Sequence, residues 1–285
     1  MPTLADVAAL AGVSKATASR ALDNSTLVAS GTAAKVLAAA AELGFTPNRV
    51  ARGLARGSTG IVALVVPTLE NTFFAPIIAG AQERAEQNDL QLTVAVHPFE
   101  EKGELSAFER LARQVDGLVL VAPRGADEVV AAAARVKPAV LVDREIEGMP
   151  SVVADTATAF GTVVDGLIAS GHRRISYVGG PAGSWQDAQR TAAIEAAARR
   201  ADAALNVVGP HPATFAAGVS AVGDVVAFRS TAVVPYATSI ALGLMFGLRA
   251  RGLELPHDVV VSAEGVVAAA LELSGVPAID VDGRQ

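Results

Sequence analysis

Cysteine is absent from the 285-residue chain, and aromatic side chains are few: nine Phe, two Tyr and one Trp. Without thiols there is no disulfide scaffold, no thiolate metal site and no cysteine nucleophile, and a reducing compartment fits. Histidine is nearly as scarce. His97, His172, His211 and His257 are far apart, and none has helical metal-ligand spacing with another. A Gly-x-Ser-x-Gly nucleophile elbow and a phosphate-binding Gly-Lys loop are also missing. The expectation is a protein that is not an enzyme and uses neither cofactor nor metal. The start, Met1-Pro2-Thr3-Leu4-Ala5-Asp6, shows no basic stretch followed by a long apolar run, so no secretory signal is read and a cytoplasmic location is expected. One uncharged stretch, Ser230 to Leu248, approaches the length of a membrane span. Pro235 divides it into a β-branched run and an Ala/Leu/Gly segment, which read as a buried strand and a helix. No membrane contact is expected.

What the chain does have is aliphatic: 51% of its residues are apolar, enough at this length to fill the cores of two or three domains. Its net charge of −6 argues against contact with nucleic acid over the whole surface. That charge is unevenly placed. Residues 1–59 hold Lys15, Arg20, Lys35, Arg49, Arg52 and Arg56 against Asp6, Asp23 and Glu42, a net +3, which leaves −9 for the remainder. The apolar pattern changes at the same place. From Leu4 to Leu43 apolar residues recur three and four apart, the helical period, with breaks at Gly12 and Asn24-Ser25. From Ile61 onward short aliphatic runs at 61–66, 91–96, 117–121, 139–142, 151–154, 175–178, 205–208, 231–234 and 259–261 alternate with helical stretches. Continuous apolar strands separated by helices are what a parallel sheet covered on both faces requires. The predicted organisation is an all-α head over residues 1–46, a basic hinge and linker over 47–60, and a doubly wound α/β body over 61–285, long enough for two lobes.

The head reads residue by residue. Thr3 followed by Asp6 has the shape of a capping box that starts a helix. Leu4, Val7, Ala8 and Ala11 form its inner face, and Gly12 supplies a positive φ at its end. Val13 anchors the turn, and Ser14 caps a second helix, Lys15 to Leu22. Two short helices joined by a Gly-containing turn form a helix-turn-helix, whose second helix enters the DNA major groove by its N-terminal end. Lys15, Ala16, Ser19 and Arg20 point outward from it, while Ala18, Ala21 and Leu22 point inward. An Arg in the groove can grip guanine O6 and N7 together, and a small Ala can lie against a thymine methyl. Ser14, Thr17 and Thr32 would position the helix on phosphates without reading sequence. The plain alternative is a small three-helix bundle with solvated Lys and Arg.

The run from Leu4 through Gly12-Val13-Ser14-Lys15-Ala16-Thr17-Ala18-Ser19-Arg20, then Glu42-Leu43-Gly44-Phe45-Thr46-Pro47-Asn48 and Ala51-Arg52-x-Leu54, closely resembles the headpiece and hinge of the LacI/GalR (lac repressor) family. The body continues the likeness: Asn71-Thr72-Phe73-Phe74, Val115-Asp116-Gly117, Val142-Asp143-Arg144, Gly171-His172-Arg173-Arg174-Ile175 and Tyr177-Val178-Gly179-Gly180-Pro181 fall in that family's order and spacing. The resemblance covers essentially the whole chain. It implies a headpiece joined to two lobes of the periplasmic-binding-protein-like type, and a homodimer on a pseudo-palindromic double-stranded DNA operator. It places Thr3, Leu4, Ser14, Lys15, Ala16, Thr17, Ser19, Arg20, Thr32, Asn48, Ala51, Arg52 and Leu54 at the DNA, with Leu54 wedged into a central base step of the minor groove. Gly53 costs a hinge helix about 1 kcal/mol relative to Ala, so this hinge is expected to fold only on the operator.

By the same resemblance a small effector, of unknown identity, sits between the lobes against Phe73, Phe74, Asp155 and Arg190. Each has a plainer alternative, the Phe pair as a helix-start staple and Asp155 as a helix cap. The chain also departs from the family. Ala237-Thr238 stands where an Asn-Asp or similar pair is usual, and Ala263-Glu264-Gly265 where a Gly-aromatic-Asp-Asp corner is usual. Two carboxylates that would hold sugar hydroxyls are thereby lost, and the expected cleft is poor in acceptors and rings and takes a less polar ligand or none. Family members continue past the end of this sequence with a helix and strand that complete the first lobe, so an apolar face is expected there. The leading reading is a DNA-binding transcriptional repressor. The alternatives are a two-lobed solute-binding receptor with a vestigial head, and a DNA-binding regulator without effector response.

Overall fold

The computed structural model describes residues 2–23, 27–45, 58–100, 103–270, 272 and 276–281. The chain divides into two compact units, Met1–Gly60 and Ile61–Gln285. Among the described residues the first holds α1 (Leu4–Leu10), α2 (Lys15–Asp23) and α3 (Ser30–Glu42). Thr3 and Asp6 form the reciprocal capping box: the Thr3 hydroxyl accepts from the Asp6 amide at 3.4 Å, and the Asp6 carboxylate accepts from the Thr3 amide at 2.8 Å. Gly12 takes φ +68°, which lets the Val13 amide return to the Ala8 carbonyl at 2.9 Å. Ser14 then caps α2 by accepting from the Thr17 amide at 3.1 Å. Val7, Ala8, Ala18, Ala21, Val36, Ala39 and Ala40 make the core. Most of these are alanines, and their small side chains let three short helices cross closely.

The second unit has two parallel sheets. The first joins β1 (Ile61–Val66), β2 (Gln91–Val96), β3 (Gly117–Val121), β4 (Ala139–Val142) and β5 (Ser151–Val152) in the order β2-β1-β3-β4-β5. Between them run α4 (Phe74–Gln87), α5 (Glu104–Ala112) and α6 (Asp127–Ala134). The second sheet joins β6 (Arg174–Val178), β7 (Ala204–Val208), β8 (Ala232–Pro235) and β9 (Val260–Val261) in the order β7-β6-β8-β9. Its helices are α7 (Thr156–Ala169), α8 (Trp185–Arg200), α9 (Phe215–Ala227), α10 (Thr238–Arg249) and α11 (Gly265–Ala270). Both faces of each sheet are covered, as the unbroken aliphatic runs require. In β1 Ala63 and Val65 enter one cluster with Leu118, Leu120 and Leu141, while Leu64 and Val66 enter another with Phe74 and Val121. Ser230 to Leu248 resolves into β8 and α10, and no helix among the described residues is long and apolar enough to cross a membrane. The expected strand over 151–154 is shorter, because the chain turns at Asp155 into the cap of α7.

Helices α9 and α10 pack through glycines. A Cβ on Gly243 would stand 2.1 Å from the Phe215 carbonyl oxygen, and one on Gly218 would stand 2.2 Å from that of Ile240. Both clashes are with backbone, so neither can be relieved by a side-chain rotation. Gly243→Ala is therefore expected to cost about 1–3 kcal/mol of stability in urea unfolding. Gly223→Ala, in α9 with open space around it, should instead be neutral or stabilising by about 0.5–1 kcal/mol. Equal effects of the two substitutions would contradict this packing.

Candidate functional site

Between the two lobes of the body lies a cleft of about 300 Å³. Its walls are the segments that leave the carboxyl ends of strands: Asn71–Phe74 after β1, Ala122 after β3, Asp143 after β4, Tyr236–Thr238 after β8 and Ser262–Glu264 after β9. Strand order reverses at β1 and at β6, which opens the crevice where doubly wound sheets hold ligands.

The buried cation of the cleft is Arg190, on the inner side of α8 and 7% exposed. Its guanidinium lies 4.5 Å from the Phe160 ring centre and 4.8 Å from that of Tyr236. Nε donates to the Thr156 hydroxyl at 2.9 Å and Nη1 to the Tyr236 carbonyl at 3.0 Å. A relay continues from there. Thr156 donates to Gln186 Oε1 at 2.8 Å, and Gln186 Nε2 donates to Asp143 Oδ1 at 3.1 Å. Asp143 follows β4 of the first lobe and Gln186 sits in α8 of the second, so this last bond joins the lobes. Burial pushes the Asp143 carboxyl above the usual carboxylate range, against the opposing pull of the Gln186 bond, the Arg190 charge and the Ala154 amide.

Local sequence explains the placement of Tyr236. Its ring lies on the turn after β6, where a Cβ on Gly180 would stand 2.7 Å from the ring carbons. Asp187 braces that turn, accepting from the Gly180 amide and the Tyr177 hydroxyl, both at 2.7 Å. The Tyr236 hydroxyl meets Ser184, the cap of α8, at 3.1 Å.

Of the residues expected in the cleft, Phe73, Phe74 and Arg190 line it together. Phe74 also belongs to the buried core with Leu64, Val66 and Val121. Asp155 does not line it. It is exposed, caps α7 by accepting from the Thr158 amide at 3.0 Å, and is held below the usual carboxylate range by that amide. The helix-cap alternative is the right one. The expectation of a cleft short of carboxylates and rings is also corrected: Asp143, Glu264 and Asp280 stand around it, and Phe73, Phe74, Phe160 and Tyr236 contribute four rings. Asp143, Gln186, Tyr236 and Ser262 were not picked out as site residues from the sequence. Three of them leave a usable signal, since Asp143, Tyr236 and Ser262 are each the first residue after an aliphatic strand.

In the head, Lys15, Ala16 and Arg20 are exposed and Ser19 half-buried along one side of α2, opposite buried Ala18 and Ala21. Thr3 and Ser14 are exposed at the two caps, and Leu4, Thr17 and Thr32 are half-buried. Asn48, Ala51, Arg52 and Leu54 lie outside the described residues.

Residues 3–48 match the family model of bacterial regulatory proteins, lacI family, and residues 59–282 match that of periplasmic binding proteins and the sugar binding domain of the LacI family. The chain belongs to the LacI family. It is a DNA-binding transcriptional regulator. Catabolite control protein A of Priestia megaterium is 30% identical over 268 residues, 90% of this chain and 80% of that protein. The ribose operon repressor of Haemophilus influenzae is 29% identical over 266 residues, again 90% of this chain and 80% of that one. The lac repressor dimer bound to operator and the anti-inducer ONPF superposes with a TM-score of 0.85 at 25% identity, over 99% of this chain and 88% of that chain.

The raised Asp143 carboxyl has a consequence for this LacI-family body. Its protonated form is favoured on folding, so its contribution to stability is full below the ordinary carboxylate value of 3.8 and is lost as pH rises through the raised value. Asp143→Asn keeps an oxygen for Gln186 Nε2 and removes the titration. Urea unfolding should show the wild type losing ground to Asp143→Asn as pH rises above the ordinary carboxylate value of 3.8. A difference that stays constant over that range would contradict the assignment.

Proposed function

We propose that the protein represses transcription by binding a two-fold symmetric operator as a homodimer in the cytoplasm, and that a small molecule in the inter-lobe cleft changes that binding. The observation that carries the reading is the solvent-facing row of Lys15 and Ala16 at the capped start of α2 and Arg20 in its last turn. A helix N-terminus with a cation and small side chains suits the major groove, and Arg20 suits a guanine edge. The lac repressor's operator complex supports the same use of this element here. The proposal includes no catalytic step: Arg190 and Asp143 are engaged in a relay that shapes a cleft, and binding alone transmits the signal.

The second copy has a face available to it. On α9 and α10, Phe215 is 47% and Phe246 63% exposed, with ring centres 5.7 Å apart, and Val219 lies exposed beside them. A paired aromatic patch on a two-helix surface fits an isologous contact, and the lac repressor neighbour is a dimer. Phe246→Glu is expected to convert a dimer to monomer in sedimentation at micromolar concentration while leaving the far-ultraviolet circular dichroism unchanged. An unaltered dimer would place the interface elsewhere.

Selection of bound sequences from random DNA should return a symmetric site with half-sites about one helical turn apart or a multiple of that. Arg20→Ala should relax the preference at one position of each half-site and cost about 1–3 kcal/mol on the preferred operator. Recovery of no symmetric site at moderate salt would overturn the repressor reading. Affinity should fall steeply with added salt, since the head works through phosphate charge.

A further inference from the structure

The charges around the cleft do not balance. Among the described residues, Asp143, Glu264 and Asp280 line it with a single cation, Arg190. Arg190 and Asp143 are the two ends of one relay, through Thr156 and Gln186. Glu264 and Asp280 have no ion pair among the described residues. Asp280 gives one oxygen to the Gly265 amide at 2.8 Å and is otherwise exposed, and Glu264, the residue before it, is half-buried without a hydrogen bond to its side chain among the described residues.

Buried polar groups on the second lobe point to a ligand at the same place. Ser262 is 4% exposed and lines the cleft, and its hydroxyl has no partner among the described residues. The Thr238 hydroxyl is buried without a hydrogen bond among the described residues. Arg190 uses Nε and Nη1 and leaves Nη2 without a partner among the described residues. The Thr238 hydroxyl is the fully buried one, and buried donors and acceptors are almost always satisfied, while the Ser262 hydroxyl and Arg190 Nη2 are open to the cleft; all three can meet a ligand with hydroxyls.

Resting on the proposed effector role of this cleft, we propose that its ligand is a small hydroxylated molecule with a cationic nitrogen, such as an amino sugar or amino alcohol. The nitrogen lies toward Glu264 and Asp280, and the hydroxyls meet Ser262, Thr238 and Arg190. A neutral polyol can donate hydrogen bonds to the two carboxylates but leaves their charge uncompensated, and an anion adds to the excess negative charge.

Thermal unfolding of the full chain, followed with a metabolite library that contains matched pairs, tests this. The pairs are glucosamine and glucose, galactosamine and galactose, and serinol and glycerol, with gluconate and glucuronate as anions. Ligands that bind the native state raise the melting temperature in proportion to their affinity. Amine members are expected to bind at least tenfold tighter than their hydroxyl partners at pH 7. Glu264→Gln should reduce that ratio about tenfold while leaving the weak binding of the hydroxyl members in place. Equal or tighter binding of the neutral or anionic compounds, or an unchanged ratio in Glu264→Gln, overturns the inference and leaves the effector reading standing. A library in which no compound of any charge shifts either melting or operator binding overturns the effector reading itself, and the inference with it.

Discussion

Arg190 is only 7% exposed, so its guanidinium must be engaged largely by protein, and much of the body is arranged around that demand. Stranding the Arg190 charge would cost several kcal/mol, and the fold meets it from two segments at once. Thr156 at the start of α7, the Tyr236 carbonyl after β8 and the faces of Phe160 and Tyr236 all close on it. Because those groups belong to separate segments of the second lobe, satisfying one cation fixes their relative positions. Tyr236 in turn needs a flat bed, which is why the turn after β6 has glycine at 180, where Asp187 braces it. The cleft is therefore preorganised on its second-lobe side before any ligand arrives.

On the first-lobe side the coupling is thinner. Asp143 reaches Gln186 across the gap by one hydrogen bond, and Gly183 backs onto the Arg124 carbonyl so closely that a Cβ would stand 2.4 Å away. A carboxylate already burdened by burial is a poor permanent latch, since its charged form is the one that suffers. That makes the inter-lobe contact responsive: anything that changes the charge or solvation beside Asp143 acts on the bond between lobes. A ligand needs differential contact with two arrangements to shift their balance, and this bond supplies a place where such a difference can be felt.

Much of this was legible from residue order alone, and the misses have physical causes. The strands showed as unbroken aliphatic runs because sheets covered on both faces leave no polar alternation to confuse the period. The capping box, the Gly12 turn and the Ser14 cap were readable because they are local, each spanning three or four residues. The cleft was less legible because its chemistry is assembled from places more than a hundred residues apart. Asp155 has the right residue type but serves the nearest helix, as a carboxylate beside a free helix start usually does. Asp280 enters the site only through the return of the chain past Ala263, a single bridge to Ala278 that no periodicity announces.

The few aromatic residues look different in that light. Counting them suggested a cleft without stacking surfaces, yet four of the twelve stand around one cavity. Composition averages over a chain, whereas binding depends on local concentration. The same holds for charge. A total of −6 disguises a head of +3, and it equally disguises carboxylates gathered beside a guanidinium that is already committed. In this protein the two functional regions differ in sign: exposed cations on α2 meet a polyanion in water, where long-range attraction and salt decide the outcome. The cleft carboxylates act at short range beside buried groups, where hydrogen bonding and desolvation decide it. A substitution that alters net charge can therefore disturb one region without touching the other, and the two can be tuned independently.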